Sequence, residues 1–266
     1  MQIYALGGKP DPFYMPETDD PNNAWGRVSY RAPVVPQAIQ AGENTAVWLS
    51  LGQSTTANHD QVGYSVASAK AQNFNAYDGA IYKADAPLLG CSGLSGNWNP
   101  RCADKMLAAG MFQRVIIVPI GVGGTVVSQW QPTGGSLWAR VLAAKARLDG
   151  RGLMPTFITW MQGESDQTAG TSQSAYSASL ADLISGLRGI GYNMPIFVSQ
   201  TTYNGTTSYA PVRAAQAAAV NNPAGIYAGP DTDSLSDPSY RFGAHWSALG
   251  SDAVAGLWKS AIDAVF

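Results

Sequence analysis

Five short runs of apolar, largely β-branched residues alternate along this chain with segments whose apolar residues fall three and four apart, and no other feature narrows the fold as much. The runs are Thr45–Leu51, Arg114–Ile120, Pro155–Met161, Met194–Ser199 and Ile226–Ala228. Near-continuous apolar runs of this kind mark strands buried on both faces. Between and after them, Ala103–Phe112, Leu137–Leu148, Tyr176–Leu187, Pro211–Val220 and Ala248–Val265 carry helical spacing. The alternation predicts an α/β fold with a central parallel sheet covered by helices on both faces, and ligands bind beyond the carboxyl ends of the strands of such a sheet. Residues 1–44, rich in Pro, Asp and Asn, show no period and are expected to form an irregular arm packed on the domain. Residues 45–266 are expected to form one domain. The stretch from Thr55 to Gly110 is long and rich in Asn, Ser and Gly, and is expected to supply loops to the rim of a site.

Composition removes several classes of function. Hydrophobic residues make up 45% of the 266 and charged ones 13%, enough apolar material for a sizeable core. A net charge of -2 offers no basic surface for nucleic acid or an anionic membrane, and neither is expected as a partner. The N-terminus lacks the basic-then-apolar order of a signal peptide, and no run has the length of a membrane span, so the chain is read as soluble with its compartment open. Two cysteines, Cys91 and Cys102, either close a small loop or stand as thiols. With two histidines besides, at no ligand-like spacing, no metal site is expected.

Three strand ends carry chemistry. The run Val47 to Leu51 leads straight into Gly52-Gln53-Ser54, which sets a hydroxyl at the mouth of the sheet. Ser54 is read either as a nucleophile or as the N-cap of a helix, a position serine favours. The GxSxG motif is absent, so the nucleophile elbow of α/β-hydrolases is not supported. The second strand ends in Gly121-Val122-Gly123-Gly124-Thr125, where glycines let backbone N–H groups approach an anion or simply make a tight turn. Val126 occupies the place of the third glycine of a dinucleotide fingerprint, and no P-loop lysine follows. The third strand leads into Gln162-Gly163-Glu164-Ser165-Asp166, an amide and two carboxylates at the same edge, or a cluster in which Ser165 or Asp166 caps the helix holding Tyr176. Of the histidines, His245 lies just before the last helix and is the expected base; His59 is expected to be a surface or loop residue.

Taken in order, Gly52-Gln53-Ser54, Gly123-Gly124-Thr125 with Trp130 after it, Gln162 to Asp166, and Gly243 to Trp246 resemble the blocks of the SGNH hydrolases. More narrowly they resemble the sialate O-acetylesterase and acetylxylan esterase branch, of the kind of carbohydrate esterase family six. The resemblance covers about residues 45 to 265. It implies a three-layer α/β/α sandwich, an esterase that removes O-acetyl groups from a saccharide without a cofactor, and an acetylated carbohydrate as partner. It is compatible with extracellular action. By position, Ser54 is similar to the nucleophile, His245 to the base, and Ser54 and Gly123 to the backbone donors of the oxyanion hole. Gln162 is the candidate side-chain donor, with Ser165 the alternative. Trp130 and Trp246, with Trp98 and Trp160, are the candidate sugar-stacking residues, or else are simply core, as large aromatics most often are.

The chain departs from the resemblance at two positions. Relatives commonly carry an aspartate three residues before the histidine, where this chain has Phe242, and an asparagine after the serine, where it has Thr55. The acid is then Glu164, Asp237 or a backbone carbonyl, Glu164 being preferred. Two rival readings stand beside the esterase: a glycoside hydrolase using Glu164 and Asp166, and an inactive carbohydrate-binding module.

Overall fold

The computed structural model describes residues 42–266, so most of the expected N-terminal arm lies outside the described residues. In chain order the elements are β1 (Thr45–Gly52), β2 (Ala71–Phe74), β3 (Ile81–Lys83), α1 (Asn99–Ala108), β4 (Arg114–Pro119), α2 (Trp138–Asp149), β5 (Phe157–Met161), α3 (Glu164–Ala169) and α4 (Gln173–Gly189). They continue with β6 (Ile196–Gln200), α5 (Ala210–Ala218), β7 (Ile226–Asp231), β8 (Arg241–Phe242), β9 (His245–Trp246) and α6 (Ala248–Asp263).

Seven strands form one sheet in the order β3-β2-β4-β1-β5-β6-β7. All neighbours are parallel except β3, which runs antiparallel to β2. β1 lies at the centre, paired from Thr45↔Arg114 on one side and to Gly52↔Met161 on the other. Its position explains its sequence: Val47, Leu49 and Leu51 face a core completed by α2, α4 and α5, while Ala46 and Trp48 face one completed by α1 and α6. The molecule is therefore a three-layer α/β/α sandwich, as the alternation of runs and helical segments required.

The five expected strands and five expected helices are all present. Four elements were not read from the sequence. β2 and β3, inside the stretch assigned to rim loops, are too short for a period to show. α3 is a six-residue helix ended by Gly170 in the left-handed conformation, so Ser172, not Ser165 or Asp166, caps the helix that holds Tyr176, its side chain accepting from the Ala175 N–H. The fourth is the β8–β9 hairpin immediately before α6.

Candidate active site

Three parallel strand ends and the hairpin deliver their loops to one edge of the sheet. β1 ends in Gly52, whose φ of +143° and whose absent Cβ are both required: an ideal Cβ there would stand 1.9 Å from the Met161 carbonyl oxygen. The chain then turns through a single 3₁₀ turn, Ser54–Thr56, buried throughout. Gln53, not Ser54, holds the cap position, and no side chain caps this turn. Ser54 is thus not an N-cap, and its N–H, first in the turn, has no partner among the described residues.

The turn is clamped from beneath. Trp98 and Trp246 both donate their indole N–H to the Thr55 carbonyl, at 2.8 and 3.0 Å. Thr56 Oγ1 meets Ser50 Oγ at 3.0 Å, and Ser50 Oγ accepts from Asn99 Nδ2 at 2.9 Å. Gln53 Oε1 accepts from Gln162 Nε2 and from the backbone N–H groups of Gly163 and Ser165 at 3.1 to 3.3 Å, tying the end of β1 to the end of β5.

Gly123, after β4, lies against Ser54: an ideal Cβ on it would be 3.4 Å from Ser54 Cβ and 3.0 Å from His59 Nε2. Its N–H donates to Ser92 Oγ at 2.7 Å, and Ser92 Oγ lies 3.1 Å from His59 Nε2. His59 in turn stacks on His245, with ring centroids 5.3 Å apart and planes 22° from parallel. His59, expected as a surface or loop residue, does lie on the loop after β1, and there it is half-buried within the cluster. Ser92 carried no signal in the sequence. The long stretch after β1 contributes more than a rim, since it brings His59, Ser92 and Trp98 to the site.

His245 sits on the β8–β9 hairpin, a two-residue turn with Gly243 at φ +64°, the positive φ that tight hairpins favour. Arg241 holds the hairpin: its guanidinium lies 3.8 Å from the centre of the Trp246 ring and donates to the carbonyls of Leu235, Thr232 and Ala244. Burial and the charge of Arg241 keep His245 below its ordinary 6.5. His59 is lowered to about 4 by burial and by His245. Both rings are neutral at neutral pH, the state in which an imidazole accepts a proton.

Several expected assignments are corrected by the geometry. Gln162 is fully buried, and its amide nitrogen already donates to Asp166 Oδ2 at 2.6 Å, Thr125 O at 2.9 Å and Gln53 Oε1 at 3.2 Å. Fully buried among these partners, it is closed off from a substrate oxygen and acts as a cross-brace. Glu164 is buried against Thr201, whose hydroxyl donates to it at 2.7 Å, and among the described residues no hydrogen bond joins it to His245. Burial raises its carboxyl to about 7. Asp237 caps its own turn at Ser239. Among the described residues no carboxylate is hydrogen-bonded to His245. Asp166 is buried, accepting from the Val127 N–H as well as from Gln162, so the pair Glu164 and Asp166 is not open to a glycosidic bond.

Trp98, Trp130, Trp160 and Trp246 are all buried, Trp130 donating to Thr125 Oγ1, and none presents a face to a sugar. Cys91 and Cys102 are both buried and are not bridged to each other.

Comparison with known families agrees with this architecture. The family profile described as "Carbohydrate esterase, sialic acid-specific acetylesterase" matches residues 98–245, more than half of the chain. This chain belongs to that family. As a member it is a carboxylic ester hydrolase. The match spans the Gly123 loop and the Gln162 block and ends on His245.

No curated protein matches the chain. Among solved structures, a protein from Arabidopsis thaliana shares the fold at a TM-score of 0.67 and 16% identity, over 84% of this chain and 99% of that one. A carbohydrate acetylesterase from Xanthomonas citri is similar at a TM-score of 0.58 and 15% identity, over 83% of this chain and 56% of that one, so this chain spans little more than half of it. The protein NanS is similar at 0.57 and 15% identity, over 84% of this chain and 97% of that one. Among the described residues no helix is long and apolar enough to cross a membrane.

Proposed function

We propose that this family member removes O-acetyl groups from a saccharide by a serine mechanism in which Ser54 is the nucleophile and His245 the base. The observation that carries the reading is the meeting of Ser54, Gly123 and the two stacked imidazoles in one cluster at the carboxyl edge of the sheet. His245 takes the Ser54 proton as Oγ attacks the acetyl carbonyl, and returns it to the departing sugar hydroxyl. Water, deprotonated by the same imidazole, then releases acetate from the acyl-serine.

The N–H groups of Ser54 and Gly123 receive the charge that develops on the carbonyl oxygen. The first has no partner among the described residues. The second is held by Ser92 Oγ, at the place the substrate oxygen would take, so substrate binding displaces that hydroxyl. Each such donor is worth about 10²- to 10³-fold in rate.

Acetate release from a chromogenic acetyl ester, from acetylated sialic acid and from acetylated xylan tests the reading. Ser54→Ala and His245→Ala should each lose at least about a thousandfold in kcat. Retention of activity in either variant overturns the assignment, and the better natural substrate identifies the glycan.

A further inference from the structure

We propose that His59 is a positioning residue for the hydrolysis, holding the His245 imidazole by ring stacking in the role a carboxylate has in a serine–histidine–acid triad. The inference rests on the Ser54–His245 assignment. A base on a two-residue turn needs something to fix its ring plane, and among the described residues no hydrogen bond holds either nitrogen of His245. What faces it is His59, stacked 5.3 Å away at 22°.

His59 is itself built to be immobile. Its two neighbours in the chain are fully buried and bolted to the 88–96 loop. Asn58 exchanges side-chain hydrogen bonds with the backbone of Leu88, at 2.7 and 2.8 Å. Asp60 exchanges backbone bonds with Gly96, both at 3.0 Å, and its carboxyl accepts from Ser251 of α6 at 2.8 Å. The far edge of the His59 ring is anchored by Ser92 at 3.1 Å. Ser92 Oγ accepts from Gly123 and pairs with His59 Nε2, as donor or acceptor according to the ring's tautomer. Until substrate displaces Ser92 from Gly123, base and oxyanion donor are joined through one chain of contacts: His245, His59, Ser92, Gly123.

A flat ring is the property this role needs, so variants that keep or lose it separate the role from general packing. On p-nitrophenyl acetate, His59→Ala should lower kcat at least tenfold with KM within about twofold. His59→Phe, which stacks but cannot bond Ser92, should recover to within about threefold of wild type. His59→Leu, of comparable bulk without a planar ring, should stay at least fivefold below His59→Phe; this comparison carries the test if the alanine variant does not fold. Equal rates in the Phe and Leu variants, or a wild-type kcat in His59→Ala, overturn the inference. Assayed alongside, Ser54→Ala and His245→Ala separate the two levels. If they are inactive while His59→Ala is fully active, only the stacking role fails. If they are active, the assignment beneath it fails as well.

Discussion

Phe242 stands directly opposite His245 in the β8–β9 hairpin, so the two side chains leave the ribbon on the same face, and the phenyl ring is 55% exposed. The position that supplies a carboxylate in the resembled family is thus geometrically present and chemically vacated. Installing Phe242→Asp places a negative charge beside an imidazole now lowered by burial and Arg241. An opposite charge favours the protonated ring, so the pKa rises. Because the base works only when deprotonated, kcat/KM of wild type should climb with pH through a midpoint below 6.5. The Phe242→Asp midpoint should lie about one unit higher. A pH–rate profile on a small acetyl ester reads both values.

Glu164 tests the opposite expectation, that a buried carboxyl near a site need not belong to it. Glu164→Gln should keep kcat within about threefold, because the group contacts Thr201 and not His245; a loss above a hundredfold would restore it as the acid. Stability should change instead. With its carboxyl raised from 4.5 to about 7, the folded protein holds a proton the unfolded chain has released, so this group's contribution falls as pH rises across that window. His59, lowered from 6.5 to about 4, contributes the reverse slope between those values. Melting temperatures from pH 4 to 8 should therefore show a smaller decline above pH 5 in Glu164→Gln than in wild type.

The nucleophile turn depends on two indoles that share one acceptor. Trp98→Phe or Trp246→Phe leaves the Thr55 carbonyl one donor and should cost about 1 kcal/mol. The double variant leaves that carbonyl buried and unsatisfied, and should cost more than the sum. Chemical denaturation of the three variants measures the coupling; strict additivity would mean the shared acceptor is not what links them.

How far the sequence could be read follows from which signals are local. The apolar runs of β1, β4, β5, β6 and β7 are local and strong, and they located the sheet edge to which β1, β4 and β5 deliver their loops. The role of Gln162 was misread because an amide at a strand end looks the same in sequence whether its hydrogens are spent or free. They are spent here on Asp166, Thr125 and Gln53, three residues from different segments. Between a sugar-stacking face and a place in the core the sequence does not choose for the tryptophans, since burial of Trp98 and Trp246 under the Ser54 turn is a tertiary fact. His59 and Ser92 were hidden because the partners of their side chains lie 31 or more residues away along the chain. The stretch that carries them has no periodicity to place it.

The central claim, that Ser54 is the acylated residue, is tested most directly by covalent labelling with a fluorophosphonate followed by peptide mass spectrometry. The account predicts one adduct per chain, on Ser54, lost in Ser54→Ala together with ester hydrolysis. Labelling of Ser92, the other serine beside a histidine, or full hydrolysis with no adduct at Ser54, would contradict it.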